Sequence, residues 1–208
     1  MQRRIEQHPL QRGAHPSRAD GMCAMEMVAW LAGEPHSDEP SCACPVIGAF
    51  VRACNDTMTD AQRNRLLRPL VPMLIDSRRS AAMERARGYV VIDELVRGLL
   101  PAWLRRQRRA DEARLLADLP PVRRLEDVRT ALRVVEHFAR DQHATVWVLQ
   151  RAIEGTPPAR YVAGVVQVAR ALNDAPTWTA MANLVARMLA AEIAAPTAFV
   201  GDASSSSS

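Results

Sequence analysis

The sequence predicts an all-α protein, an irregular multi-helix bundle of about eight helices with a cysteine-bearing helix–loop–helix at its N-terminal end. Apolar residues recur with helical spacing along nearly the whole chain, and no run shows the alternation and β-branched enrichment of a strand. The segments between the helical patterns are short and contain proline or glycine. Such short connections favour antiparallel neighbouring helices.

The first two predicted helices are bounded by residues with strong capping preferences. Asp20 is a good N-cap for the first helix, and Gly33 ends it. After a loop over residues 34–44, Pro45 suits the first position of the second helix, and Asn55 suits its C-terminal end. These signals predict a short helix on each side of an eleven-residue loop.

The next helical segment is interrupted by prolines. Thr59 and Gln62 have the spacing of a capping box and so predict a helix start. Pro69 and Pro72 follow within the same apolar pattern, and proline disrupts the interior of a helix. We therefore expect two short helical pieces here.

The remaining helices are longer. Ser80 opens one of them, and Pro101 is expected to begin another. Beyond these, helical periodicity and loop signals predict three more helices, at about 125–154, 157–173 and 177–194.

The domain boundaries are predicted from composition. Residues 1–19 carry prolines and charges without periodicity and are expected to be disordered, as is the serine-rich tail at 197–208. Residues 20–196 form one predicted helical domain. The Leu-Pro-Pro stretch at 119–121 places a subdomain boundary near 118–122.

Composition restricts the class of protein. In 208 residues, 48% are hydrophobic and 24% are charged, which excludes a wholly disordered chain, a collagen-like fibre and a disulfide-dense miniprotein. The apolar runs are too short for a transmembrane helix, so no membrane partner is expected. All 27 basic residues are arginine, which we attribute to a GC-rich genome, and the net charge is only +4. The N-terminus lacks the apolar region of a secretory signal, so we expect a cytoplasmic protein with reduced cysteines.

Three cysteines and one histidine form the most suggestive chemical cluster. Cys23 lies near the start of the first predicted helix, and Cys42 and Cys44 lead into the second. Helix N-termini stabilise thiolates, and thiolates are ligands for zinc or an iron–sulfur cluster, with His36 as a fourth ligand. Glu26, Asp38 and Glu39 are weaker oxygen alternatives to His36. The alternative is that these cysteines pack in the core, as free cysteines commonly do. Cys54 lies on an apolar stripe and is expected in the core.

A second hypothesis makes Cys23 the nucleophile of an enzyme. A helix N-terminus would activate its thiol, but the reaction also needs a base. His36 is near in sequence, whereas His137 and His143 belong to a distant helix and do not share a face. No third group that would orient a histidine is evident, so we expect no catalytic residue.

A third hypothesis is nucleic-acid binding through arginines. Residues 105–109 read Arg-Arg-Gln-Arg-Arg, and Arg123 and Arg124 form a second pair. The run is followed at once by acidic residues and lacks an aromatic platform, so a solvated helix face explains it more simply. The expected function is that of a binding or accessory protein with a protein partner or self-association.

Residues 21–47 follow the pattern G-M-C-x-M-E-x-V-A-x-x-A-G-E-P and then S-D-x-P-x-C-x-C-P-V-I. This pattern resembles the signature of an uncharacterised family of proteins from high-GC actinobacteria and their phages. Residues 66–72, 101–104 and 184–188 resemble the family too. The resemblance implies no activity, cofactor or substrate, but it supports the cysteine cluster as a unit. Family members usually have histidine where this chain has Glu39, which would leave a metal site with a carboxylate or with His36.

Overall fold

The computed structural model describes the backbone of residues 2–191 and the side chains of residues 5–191. Over these residues the chain is helical and contains no strand, which confirms the predicted fold class. The α-helices, numbered along the chain, are α1 (Gln2–Gln7), α2 (Ala24–Ala32), α3 (Pro45–Thr57), α4 (Asp60–Leu66), α5 (Val71–Leu74), α6 (Ala81–Glu94), α7 (Leu100–Arg106), α8 (Ala110–Ala117), α9 (Leu125–Phe138), α10 (His143–Ile153), α11 (Ala163–Leu172) and α12 (Ala175–Leu189). The serine-rich tail predicted at 197–208 and the domain end predicted at 196 lie outside the described residues.

The described part of the chain has twelve α-helices, more than the eight or so expected. One reason is that a segment predicted as one helix over 125–154 contains a break. The chain leaves the helical conformation at Ala139, whose φ and ψ are −141° and 38°, and resumes it after Gln142. Two shorter helices, α9 and α10, therefore replace one long helix.

The start of α2 differs from the prediction. The N-cap is Cys23 and not Asp20, because the chain between them is not helical. Gly21 has a φ of +138°, and a side chain there would collide with Gln11 and His15, which pack over it. The predicted caps at Thr59 and Ser80, the proline at the start of α3, and Gly33 as a left-handed C-cap all occur as expected. The end of α3 differs, because the helix continues past the predicted end at Asn55 to Thr57.

The N-terminal segment packs against the bundle instead of being disordered as expected. Ile5 and Leu10 are buried, although few apolar residues surround them in sequence. The backbone N–H of Leu10 donates to Asn64 Oδ1 at 2.7 Å, and Asn55 Nδ2 donates to the carbonyl of Gln11. These partners lie more than forty residues away along the chain, so local composition could not reveal them.

The longest helical stretch joins α6 to α7 through a π-helical turn at Leu95–Leu99. The sequence predicts a break before Pro101, because proline has no N–H to donate to the carbonyl four residues earlier. The chain instead continues as a wider turn, in which Leu100 donates to the carbonyl of Leu95, five residues back. The π turn therefore accommodates the proline without ending the helix.

The core is one cluster of buried apolar side chains that extends from Ile5 to Met188. Arg87 on α6 is buried within it, and its guanidinium donates to the carbonyls of Ser77 and Met188. The segment between α8 and α9, where the sequence predicts a subdomain boundary, is also bonded to the bundle. Val122 in it is buried and donates its N–H to Asp93 on α6. None of the described helices has both the length and the apolar content to cross a membrane.

Candidate anion-binding cavity

Glu26, on α2, is a carboxylate buried beneath two histidines. Only 1% of its side chain is exposed, and it accepts hydrogen bonds from the backbone N–H of His15 at 2.6 Å and of Cys23 at 2.7 Å. His15 Nδ1 lies 2.8 Å from the same carboxylate, and His36 Nε2 lies 3.4 Å from it. Burial raises the pKa of Glu26, but the donors from His15 and Cys23 outweigh burial and hold that pKa below its ordinary value.

Cys23 is the other half of a capping box with Glu26. Its sulfur accepts the N–H of Glu26 at 3.4 Å while Glu26 accepts the N–H of Cys23. Burial raises the pKa of Cys23 to about 12, so the sulfur is a neutral thiol near pH 7. The ring of His36 is directed elsewhere, since its Nε2 lies 3.0 Å from the carbonyl of His15. This arrangement gives Cys23 a structural role as a helix cap.

The four predicted metal ligands fall in two places. Cys23 and His36 both adjoin Glu26, whereas Cys44 is the buried N-cap of α3 and Cys42 is half-buried in the loop before it. Burial raises the pKa of Cys42, and its N–H donates to Glu34. All four cysteines are free, and no set of three or more His, Cys, Asp or Glu side chains within residues 5–191 is arranged to hold a metal ion.

The zinc or iron–sulfur site therefore stays a prediction from the sequence. Any thiol that binds a metal has to lose its proton, so binding would have to overcome the raised pKa of Cys23 and Cys42. Elemental analysis of protein purified under reducing, oxygen-free conditions tests it directly. Stoichiometric zinc or iron that disappears in a Cys42→Ser, Cys44→Ser double variant would establish the site.

A cavity of about 330 Å³ opens at the N-terminal end of α3. Its volume is within the range of small-molecule sites. Polar and charged side chains supply part of the lining, namely Glu39, Arg52, Arg78 and Arg160. Small or apolar residues supply the rest, namely Met25, Pro40, Ala43, Cys44, Pro45, Gly48 and Ala159. The lining of the cavity thus combines three arginines with small and apolar residues.

The three arginines come from different elements. Arg52 lies on α3, on the same face of the helix as Pro45 and Gly48. Arg78 follows Ser77, which is buried and accepts the N–H of Cys44 on its hydroxyl at 2.9 Å, while the N–H of Arg78 donates to the carbonyl of Cys42. The hydrogen bonds of the Ser77 hydroxyl and of the Arg78 N–H therefore fix the backbone of Arg78 beside the start of α3.

Arg160 ends a 3-10 turn, Pro158–Arg160, that packs on α6. Pro158 is buried, and a side chain at Gly88 would approach it to 2.9 Å, so glycine allows this close contact. The contact brings Arg160 and Ala159 to the cavity from the far end of the sequence. Over the part of the chain that the structure describes, neither Arg78 nor Arg160 has its guanidinium paired with a carboxylate.

Arg52 differs from the other two because its guanidinium is already occupied. Its Nη2 donates to Glu39 Oε1 at 2.7 Å, and its Nη1 donates to the carbonyl of Asp38 at 2.7 Å. Its Nε lies 3.7 Å from the Asp38 carboxylate. The side chain of Glu39 remains 71% exposed despite this contact.

The arginine run considered for nucleic-acid binding is partly used inside the fold. Arg106 donates to Asp174 and to the carbonyl of Leu172, and Arg109 donates to Glu112 and to the carbonyl of Phe138. Arg106 is thus bonded to the start of α12, and Arg109, the N-cap of α8, is bonded to the end of α9, so the run does not present a continuous row of free guanidinium groups.

Sequence reasoning missed the arginines of the cavity, because they are distant from one another along the chain. One local signal existed. Pro45, Gly48 and Arg52 recur at helical spacing on the face of α3 opposite its apolar stripe, and a glycine within a helix often marks a close approach.

Comparison with known proteins adds no functional assignment. The chain matches no family model, no curated protein and no solved structure. The geometry of this cavity is therefore the basis of the functional proposal.

Proposed function

We propose that the protein is a binding or accessory protein whose α3 cavity receives the anionic group of a small molecule. The observation that carries the proposal is the presence of Arg52, Arg78 and Arg160 in the lining of one cavity. Arg52 lies on α3, Arg78 in the loop between α5 and α6, and Arg160 in a 3-10 turn. A single carboxylate, Glu39, lines the cavity with them.

Arginine is suited to this role. Its guanidinium stays charged at any physiological pH and offers parallel N–H donors to a phosphate or carboxylate group. Unpaired N–H groups at the N-terminus of α3 add a positive potential beside Cys44 and Pro45. The apolar part of the lining, including Met25 and Ala159, would contact the body of the ligand.

Isothermal titration calorimetry with inorganic phosphate tests the proposal. We expect saturable binding to the wild-type chain, and loss of two guanidinium groups in an Arg78→Gln, Arg160→Gln double variant to weaken it about a hundredfold, at about tenfold for each arginine.

The matched control is an Arg129→Gln, Arg133→Gln double variant. Both arginines lie exposed on α9, which does not line the cavity, and the change in net charge is the same. Equal weakening in the two double variants would mean that phosphate responds only to overall charge, and absence of saturable binding would contradict the proposal outright.

A further inference from the structure

We infer that the ligand of the α3 cavity is the phosphate monoester of a small molecule. This ligand displaces one of the protein's own carboxylates, that of Glu39, from Arg52. The inference rests on the proposed function and specifies its ligand class. Its basis is the unequal state of the three arginines: Arg52 is occupied by Asp38 and Glu39, whereas Arg78 and Arg160 line the cavity without a carboxylate partner among the described residues.

The charge of the lining favours a dianion. Three arginines and one glutamate line the cavity, so their formal charges sum to +2. A phosphate monoester carries between one and a half and two negative charges near pH 7, about twice the charge of a carboxylate or a sulfate ester. The dianion therefore gains more from the same arginines, because the Coulomb energy scales with the product of the charges.

The shape of the donor set favours a phosphate as well. Each guanidinium offers a pair of parallel N–H donors, and the terminal oxygens of a phosphate monoester are three strong acceptors. A carboxylate has only two oxygens and cannot engage three guanidinium groups equally. A volume of about 330 Å³ is near the lower end for ligand cavities, which indicates a small organic body and not a polymer.

The ion pair with Glu39 is the contact of Arg52 that costs the least free energy to break. Its side chain is 71% exposed, and exposed ion pairs contribute little to stability. It lines the cavity itself, so its carboxylate stands where it repels an entering anion. Asp38 does not line the cavity. It orients Arg52 by accepting a hydrogen bond from Nη1 on its carbonyl and by placing its carboxylate near Nε. Displacement of Glu39 would thus leave Arg52 oriented while its Nη2 becomes available to the ligand.

Two ligands of matched shape test the ligand class. Phenyl phosphate is mainly a dianion at pH 8, while phenyl sulfate has the same tetrahedral group but a single negative charge. In calorimetric titrations at pH 8 and constant ionic strength, we expect the wild-type chain to bind phenyl phosphate at least about tenfold more tightly than phenyl sulfate.

A Glu39→Gln variant tests the displacement. Removing the competing carboxylate should tighten phenyl phosphate binding about threefold to tenfold, and tighten phenyl sulfate binding less. The control is Glu126→Gln, which breaks a similar exposed ion pair with Arg129 on α9 and should leave both affinities unchanged. A Glu39→Ala variant repeats the test with a different side chain, and thermal unfolding of all variants verifies that they fold.

The outcomes separate the two proposals. If the wild-type chain does not bind inorganic phosphate, the proposed function fails and the inference fails with it. If it binds phenyl phosphate and phenyl sulfate equally, the anion cavity stands but the dianion class is wrong. If it prefers phenyl phosphate but neither Glu39 variant binds it more tightly, Glu39 is not a competitor of the ligand.

Discussion

Two charged regions lie on the helix–loop–helix formed by α2 and α3, and they differ in how their charges are satisfied. Glu26 is buried and accepts hydrogen bonds from His15 and Cys23. In the α3 cavity, Arg78 and Arg160 are exposed and line open space. A buried charge with its hydrogen bonds made contributes to the fold, whereas several exposed charges of one sign around a cavity are available to a ligand.

The largest expected effect is on stability, at Glu26. Replacing Glu26 by Ala leaves the N–H groups of His15 and Cys23 without their acceptor in a buried position. We expect the free energy of unfolding to fall by about 3 kcal/mol, measured by urea denaturation. The control Glu126→Ala removes an exposed carboxylate and should cost less than about 0.5 kcal/mol. A loss at Glu26 as small as that of the control would mean that the buried cluster is not structural.

The cavity should show the opposite behaviour. The Arg78→Gln, Arg160→Gln double variant is expected to bind phosphate about a hundredfold more weakly. Its free energy of unfolding in urea should nevertheless equal that of the wild type within about 0.5 kcal/mol. Both side chains are exposed, and their removal leaves no buried partner unsatisfied. Marked destabilisation of this variant would mean that Arg78 and Arg160 stabilise the fold as Glu26 does, and that the two charged regions do not differ in role.

Acid should weaken the buried region specifically. The pKa of Glu26 is lower in the folded chain than the ordinary value of 4.5, so its contribution to stability is complete above that value and is lost as the pH falls through the folded one. We expect the free energy of unfolding of the wild type to decrease more steeply below about pH 4.5 than that of Glu26→Gln. Parallel pH profiles for the two proteins would show that Glu26 does not take up the proton.

The smallest effect is expected at Gly48, on the floor of the cavity. A methyl group there would lie 3.3 Å from the end of the Met25 side chain and 3.8 Å from Arg52 Nη1. Met25 is flexible enough to yield, and alanine favours a helix over glycine by up to about 1 kcal/mol, so Gly48→Ala should be stable. It should bind phenyl phosphate about threefold more weakly because the cavity is smaller. Unchanged affinity in calorimetry would indicate that the ligand does not reach this floor.

The local elements of the fold could be predicted from sequence, because their causes are local. The capping box of Thr59 and Gln62, the N-cap Ser80 and the proline that starts α3 depend on residues within one turn. The start of α2 could not be predicted, because Asp20 is the better cap in isolation. The positive φ of Gly21, which packs under Gln11 and His15, ends the non-helical segment just before Cys23, and Cys23 is the N-cap.

The candidate site depends on contacts that no local pattern encodes. Arg160 reaches the cavity because Pro158 packs against Gly88, some seventy residues earlier in the chain. The order of the N-terminal segment likewise depends on Asn55 and Asn64. The predicted metal ligands lie beside both charged regions, since Cys44 lines the cavity and His36 adjoins Glu26. The sequence predicts a metal site because the cysteines share a short segment, whereas the arginines of the cavity are dispersed along the chain.

A crystal structure of the protein with phenyl phosphate tests the central claim most directly. We predict that the phosphate group lies between Arg52, Arg78 and Arg160 at the start of α3, with the carboxylate of Glu39 moved away from Arg52. A phosphate group bound elsewhere on the chain, with the ion pair of Arg52 and Glu39 intact and the cavity open, would contradict the account.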